Sequence, residues 1–156
     1  MREILFRGKR TDCWEWVEGY LNQHRGRVIF DCCCNAINAN DYYINDWTEK
    51  LDTDLYGCVY KVDPETVGQY TGLTDKNGVK IFEGDIVRYG TNTNRADNKE
   101  IHEVVFETRG GSGYFGIRIS EIETWNFCLE VPAKLMEVIG NIHDNPEILK
   151  VGDNNE

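Results

Sequence analysis

The stretch Val67-Gly-Gln-Tyr-Thr-Gly-Leu-Thr-Asp-Lys-Asn-Gly-Val-Lys-Ile-Phe-Glu-Gly-Asp-Ile-Val87 decides the fold. It sets three short β-type runs, beginning at Gln69, Val79 and Ile86, around two turns. Asp75-Lys76-Asn77-Gly78 is the first turn, because an Asn-Gly pair takes positive φ at little cost and the Asp and Asn side chains bond to nearby backbone. Glu83-Gly84-Asp85 is the second. Elements this short, punctuated this closely, belong to an antiparallel β protein.

Working upstream, Gly57 to Val62 reads as a strand. Asp63-Pro64-Glu65-Thr66 then starts a helix, with Asp63 as cap and Pro64 at the first position, and Gly68 limits it to one turn. Residues 2–21 read as two strands joined by Gly8-Lys9-Arg10-Thr11-Asp12. In the second, Trp14, Trp16, Glu18 and Tyr20 share one face and Glu15, Val17 and Gly19 the other. A turn over Asn22 to Gly26 and a third strand over Arg27 to Phe30 follow. Residues 35–56 interleave Asn and Asp with Tyr42, Tyr43, Ile44 and Trp47, and read as a long loop with one helical turn near Trp47 to Leu51.

Downstream, Gly90 to Lys99 is polar and is expected to be an exposed hairpin tip. His102 to Thr108 alternates as a strand, Arg109 to Gly113 turns, and Phe115, Ile117 and Ile119 mark the returning strand. Leu135 to Ile142 is the last strand, Asn145-Pro146 opens a single helical turn, and residues 151–156 are expected to be a disordered tail. The whole pattern predicts a mainly β protein with minor α: one domain over residues 1–150. Within it, residues 67–149 are expected to form a small, strongly bent SH3-like barrel, with residues 1–62 as an N-terminal β extension.

The chain has 156 residues, 27 acidic and 17 basic side chains and a formal charge of −10. That excess works against diffusive attraction to nucleic acid or anionic membrane, and leaves room for a local basic patch. No apolar run approaches the roughly 20 residues of a membrane helix, and the charged N-terminus does not resemble a signal peptide, so a cytoplasmic location is expected. Disulfides are then not expected among the six cysteines. Cys32-Cys33-Cys34 reads as a strand edge, since neighbouring side chains point to opposite faces and do not converge on one ion. No cofactor is expected.

Several motifs invite chemistry. Gly111-Ser-Gly-Tyr-Phe-Gly116 spells a dinucleotide fingerprint, but a strand rather than a helix follows it, so it reads as a hairpin turn. Asp75-x-Asn77-Gly78 echoes a calcium loop, with its glycine too early and strands on both sides. Asp75, Glu83 and Asp85 offer carboxylates for a metal-dependent hydrolase, yet no spaced histidine or lysine completes such a site. His24, His102 and His143 lie in separate segments, and Ser112 and Ser120 lack an elbow motif. The aromatics Trp14, Trp16, Tyr20, Tyr42, Tyr43 and Trp47 form a candidate interaction surface; Arg7, Lys9, Arg10, Arg25 and Arg27 in the same third of the chain would let it bind nucleic acid.

The central stretch, extended to Val62-Asp63-Pro64-Glu65-Thr66, resembles the signature of the phage-associated YopX-like proteins. Arg2-Glu3-Ile4-x-Phe6-Arg7-Gly8-Lys9 and Trp16-Val17-x-Gly19-Tyr20 resemble that family's opening; Val138-Ile139-Gly140-Asn141-Ile142 and Asn145-Pro146-Glu147-Ile148-Leu149 its close. The shared positions are turns and strand cores: Gly68, Gly72, Asp75, Asn77, Gly78, Glu83, Gly84, Asp85 and Gly140 read as a fold signature, the glycines as sites of unusual φ or close approach. The resemblance implies a phage or prophage accessory protein in the host cytoplasm that self-associates or binds a host or phage protein, with no assigned catalytic residue. A non-enzymatic protein-binding or self-assembling module is the leading expectation; a nucleic-acid-binding β-barrel and a metal-dependent hydrolase are the alternatives.

Overall fold

The computed structural model describes residues 4–23, 42–46, 58–90, 99–118, 124–125 and 133–151. The chain divides into two compact units, Met1–Gln69 and Tyr70–Glu156. Among the described residues it is mainly β, with two antiparallel sheets and one short α-helix.

In the first unit, β1 (Phe6–Lys9), β2 (Trp16–Gln23), β3 (Tyr42–Asp46) and β4 (Cys58–Val62) pair in sequence order, each antiparallel to the next. Alternation sorts the two faces. Gly8, Gly19, Ile44 and Val62 are buried, whereas Glu18, Tyr20 and Lys61 are exposed. The outer edge of β1 is satisfied along its length. Phe6 and Arg7 pair with Gln69 and Gly68 at the start of β5 (Gly68–Thr74). The Lys9 N–H donates to Thr66 Oγ1 at 2.8 Å, the Lys9 carbonyl accepts from Asp63 N at 2.9 Å, and Thr11 N donates to the Lys61 carbonyl at 3.1 Å. The end of β4 therefore returns to the end of β1 through an Arg10–Val62 bridge. Gly8 permits the approach, since a Cβ there would lie 3.0 Å from Val62 Cβ.

The expected cap forms. Asp63 accepts from Glu65 N at 3.0 Å and Pro64–Thr66 makes a single 3-10 turn. Two readings are corrected. Tyr42–Asp46 is a strand rather than part of a loop: it pairs on both sides and buries Ile44 completely, so partners supply what its Asn- and Asp-rich flanks conceal. Asn22 and Gln23 continue β2 instead of turning. The expected strand at Arg27 to Phe30, the helical turn near Trp47 and the triple cysteine lie outside the described residues.

In the second unit, the remainder of β5 pairs with β6 (Lys80–Phe82). A separate sheet runs β10-β9-β8-β7-β11, built from β7 (Asp85–Gly90), β8 (Lys99–Arg109), β9 (Ser112–Arg118), β10 (Thr124–Trp125) and β11 (Met136–Asn141). Ile81, Val87, Val104, Ile117, Ala133 and Met136 form its core, with Leu73, Tyr89, Phe115 and Val138 packed against it. The Gly110-Gly111 pair, with φ of 59° and 86°, makes the two-residue connection between β8 and β9. The fingerprint-like glycines therefore belong to a hairpin. The register of β11 slips between Val138 and Gly140, a bulge where Ile139 has no opposite number on β7. β10 was not legible, being only two residues long. α1 (Glu147–Val151) follows Asn145-Pro146 and takes in Val151, which the sequence assigns to the tail. Among the described residues no set of ladders closes a barrel.

Candidate functional site

The open face of the first unit gathers aromatic and basic side chains from β1, β2 and the loop between them. Lys9 lies opposite Trp16 and Arg7 opposite Glu18. The Arg7 guanidinium sits 4.7 Å from the Trp16 ring centre, and the Lys9 ammonium 5.5 Å from Trp16 and 5.8 Å from Trp14. On the neighbouring edge Arg10 stacks on Tyr60 at 4.4 Å and bonds Asp12 through two nitrogens. That double hydrogen bond holds the Asp12 carboxyl below its ordinary value and raises the Arg10 guanidinium.

Trp14 carries the clearest sign of local constraint. Its φ is 61°, left-handed, and it is the non-glycine residue among those described with positive φ. The loop imposes this. Trp14 N donates to the Arg10 carbonyl at 3.0 Å while Arg10 N donates to the Glu15 carbonyl at 2.9 Å, closing the connection from β1 to β2. A bulky residue in this region is strained by about 1 kcal/mol or more. Trp14 is 59% exposed and Tyr20 48%, so the strain holds an indole in water. Tyr42 and Tyr43 stand in β3, opposite Gln23 and Asn22; Trp47 lies outside the described residues.

The signature positions sit mainly in the second unit and do structural work. Asp75 is 5% exposed. Its Oδ1 accepts from Asn77 N at 2.7 Å and Val79 N at 2.9 Å, and its Oδ2 from Val138 N at 3.0 Å. Burial pushes its pKa up, but these donors outweigh it and leave the carboxyl below its ordinary value. Asp85 accepts from Phe82 N at 2.7 Å and closes the Glu83-Gly84 turn. Gly72, Gly78 and Gly84 have φ of 85°, 84° and 79°. Gly68 does not: it is a buried strand position opposite Arg7. Gly140 also lacks positive φ and is needed for close approach to Asn145.

The YopX protein family model matches residues 5–150. The chain belongs to the YopX family. It is also similar to the crystal structure of protein EF1440 from Enterococcus faecalis, with a TM-score of 0.54 and 27% identity over 96% of this chain and 99% of that one. No curated protein matches it.

In this YopX chain the structure does not gather the carboxylates that suggested hydrolysis. Among the described residues no group of three or more His, Cys, Asp or Glu side chains is placed to hold a metal ion. Asp75 spends both oxygens on backbone donors instead, and Asp85 Oδ2 accepts from Phe82 N. His102 is buried with Nδ1 3.2 Å from the Arg118 carbonyl, a position in the sheet rather than in a cleft. Glu103 is the carboxylate that sequence reasoning missed. Burial raises its pKa, Arg118 at 2.7 Å opposes the rise, and Glu83 adds to it. Arg118 and Glu83 come from two separate segments, so no local motif marks it. Among the described residues no helix is long and apolar enough to cross a membrane.

Proposed function

We propose that this YopX chain is a non-enzymatic protein-binding module, a phage or prophage accessory protein of the bacterial cytoplasm. It docks a host or phage protein, or a second copy of itself, on the open face of β1 and β2. The observation that carries this reading is Trp14, held outward in a strained left-handed conformation beside Trp16, on the face that also presents Tyr20. Exposed aromatics with cationic neighbours are the usual anchors of protein interfaces, and strain at an exposed residue is a mark of function rather than stability. The test compares wild type with Trp14→Ser/Tyr20→Ser, two exposed positions whose loss leaves the core intact. Light scattering after size exclusion gives the mass, and a host-lysate pulldown gives retained partners. An oligomer or a partner lost in the variant supports the reading. A wild-type monomer that retains the same proteins as the variant overturns it.

A second reading, single-stranded nucleic acid, is favoured by the Arg7 and Lys9 cations beside Trp14 and Trp16. A mobility shift at low salt that weakens steeply as salt rises would move the assignment there.

A further inference from the structure

The second unit carries an open pocket of about 550 Å³ between the Asp75 turn and the segment Ala133–Leu135 that leads into β11. Its size falls within the roughly 300–1,000 Å³ of small-ligand sites. One wall is apolar, made by Tyr70, Leu73 and Ala133. Tyr70 and Ala133 are themselves 8% and 2% exposed, so these walls are fixed by packing, with the Tyr70 ring 5.4 Å from that of Phe82. The mouth is cationic. Lys76 and Lys134 line it and both are exposed. Lys76 is shared with Glu137 at 2.8 Å, whereas among the described residues no acidic side chain engages Lys134. The one carboxylate in the lining, Asp75, already accepts three backbone N–H groups and has little left to offer a cation.

The rim is preformed. Asp75 ties Asn77 and Val79 to its own turn and Val138 to the same carboxylate, and Lys76 N donates to the Met136 carbonyl at 3.1 Å. A ligand therefore meets a wall that is already ordered, which lowers the entropy cost of binding. Gly72 and Gly78 leave bare backbone at the edge.

We infer that this pocket binds a small apolar group bearing a carboxylate, the apolar body against Tyr70, Leu73 and Ala133 and the anion at Lys134 and Lys76. The chemistry is shared by a free organic acid and by the C-terminal residue of a polypeptide with an apolar side chain. The residues that line the site all belong to the second unit, and the inference stands whether or not the aromatic face of the first docks a protein.

The experiment is titration of the full chain, labelled with ¹⁵N, by sodium hexanoate, followed by amide shifts. Acetate lacks the apolar body, 1-hexanol lacks the charge, and a short peptide ending in leucine is used as free acid and as amide. Saturable shifts at Gly72, Leu73, Lys76, Gly78 and Lys134 with hexanoate or the peptide acid, and much weaker ones with acetate, hexanol and the peptide amide, support the site. Hexanoate without the peptide acid assigns a free organic acid; binding of the peptide acid assigns a chain terminus. Lys134→Glu, a surface change, is expected to weaken binding about tenfold while leaving the remaining spectrum in place. Equal shifts for hexanoate, acetate and hexanol, or none at these residues, would overturn the inference.

Discussion

Asp75 Oδ2 accepts a hydrogen bond from Val138 N at 3.0 Å, joining a turn to a strand 63 residues further along the chain. The same carboxylate holds Asn77 N and Val79 N with its other oxygen. One side chain therefore shapes the turn and docks it on β11, next to the bulge at Ile139. Removing it as Asp75→Ala leaves three N–H groups to find partners, and is expected to cost about 3 kcal/mol. Asp75→Asn keeps one acceptor oxygen and turns an NH₂ toward a donor, so about 2 kcal/mol is expected. Urea unfolding with an unchanged m-value checks both; a loss below about 0.5 kcal/mol for Asp75→Ala would show that water replaces the carboxylate.

The two shifted carboxyls in the second unit bend the pH dependence in opposite directions. Asp75 lies below its ordinary 3.8 when folded. The unfolded chain binds that proton more readily, so its contribution is complete above about pH 4 and is lost as pH falls through the folded value. Glu103 lies above its ordinary 4.5. Its contribution is complete below that value and is lost as pH rises through the folded one. The melting temperature measured from pH 3 to 7 should show a flatter acid limb in Asp75→Asn than in wild type. In Glu103→Gln the loss of stability just above pH 4.5 should disappear.

What was legible in the sequence is what local chemistry determines. Asp63-Pro64 and Asp75-Lys76-Asn77-Gly78 hold their own turns through side-chain bonds two to four residues away, and both stand as read. The Val138 bond could not be read, because nothing near Asp75 names a partner 63 residues off. β3 was missed for the same reason: its stability comes from β2 and β4, while its own sequence looks like a loop. The aromatic surface was partly legible. Alternation placed Trp14, Trp16 and Tyr20 on one face, but the left-handed backbone of Trp14 was not legible, since Cys13-Trp14-Glu15 contains no residue that favours positive φ.

Gly140 and Asn145 form a second coupled pair. A Cβ on Gly140 would lie 2.7 Å from Asn145 Oδ1 and 3.1 Å from Asn145 Cβ and Cγ. Asn145 cannot withdraw freely, because its N–H donates to the Asn141 carbonyl at 2.9 Å. Gly140→Ala is expected to destabilise by about 2 kcal/mol. Asn145→Gly removes the atoms in the way, so the double variant should recover much of that loss. A double-mutant cycle by chemical unfolding measures the coupling, and strict additivity would mean the strand shifts as a whole.

Trp14 separates a surface built for stability from one built for binding. Its left-handed backbone costs roughly 1 kcal/mol, and glycine at that position would relieve it. Glycine also enlarges the unfolded ensemble by roughly 0.4–1 kcal/mol and gives up the contact with Lys9, 5.8 Å from the indole. These effects oppose one another, so Trp14→Gly should melt within a few degrees of wild type. Trp14→Val keeps the strain, worsens it with a β-branched side chain and should be less stable than Trp14→Gly by about 1 kcal/mol. If the indole serves recognition, both variants lose self-association or partner retention to the same degree despite their different stabilities. If it serves the fold, association follows stability and Trp14→Gly behaves as wild type. Light scattering and thermal melts on the two variants side by side separate these outcomes.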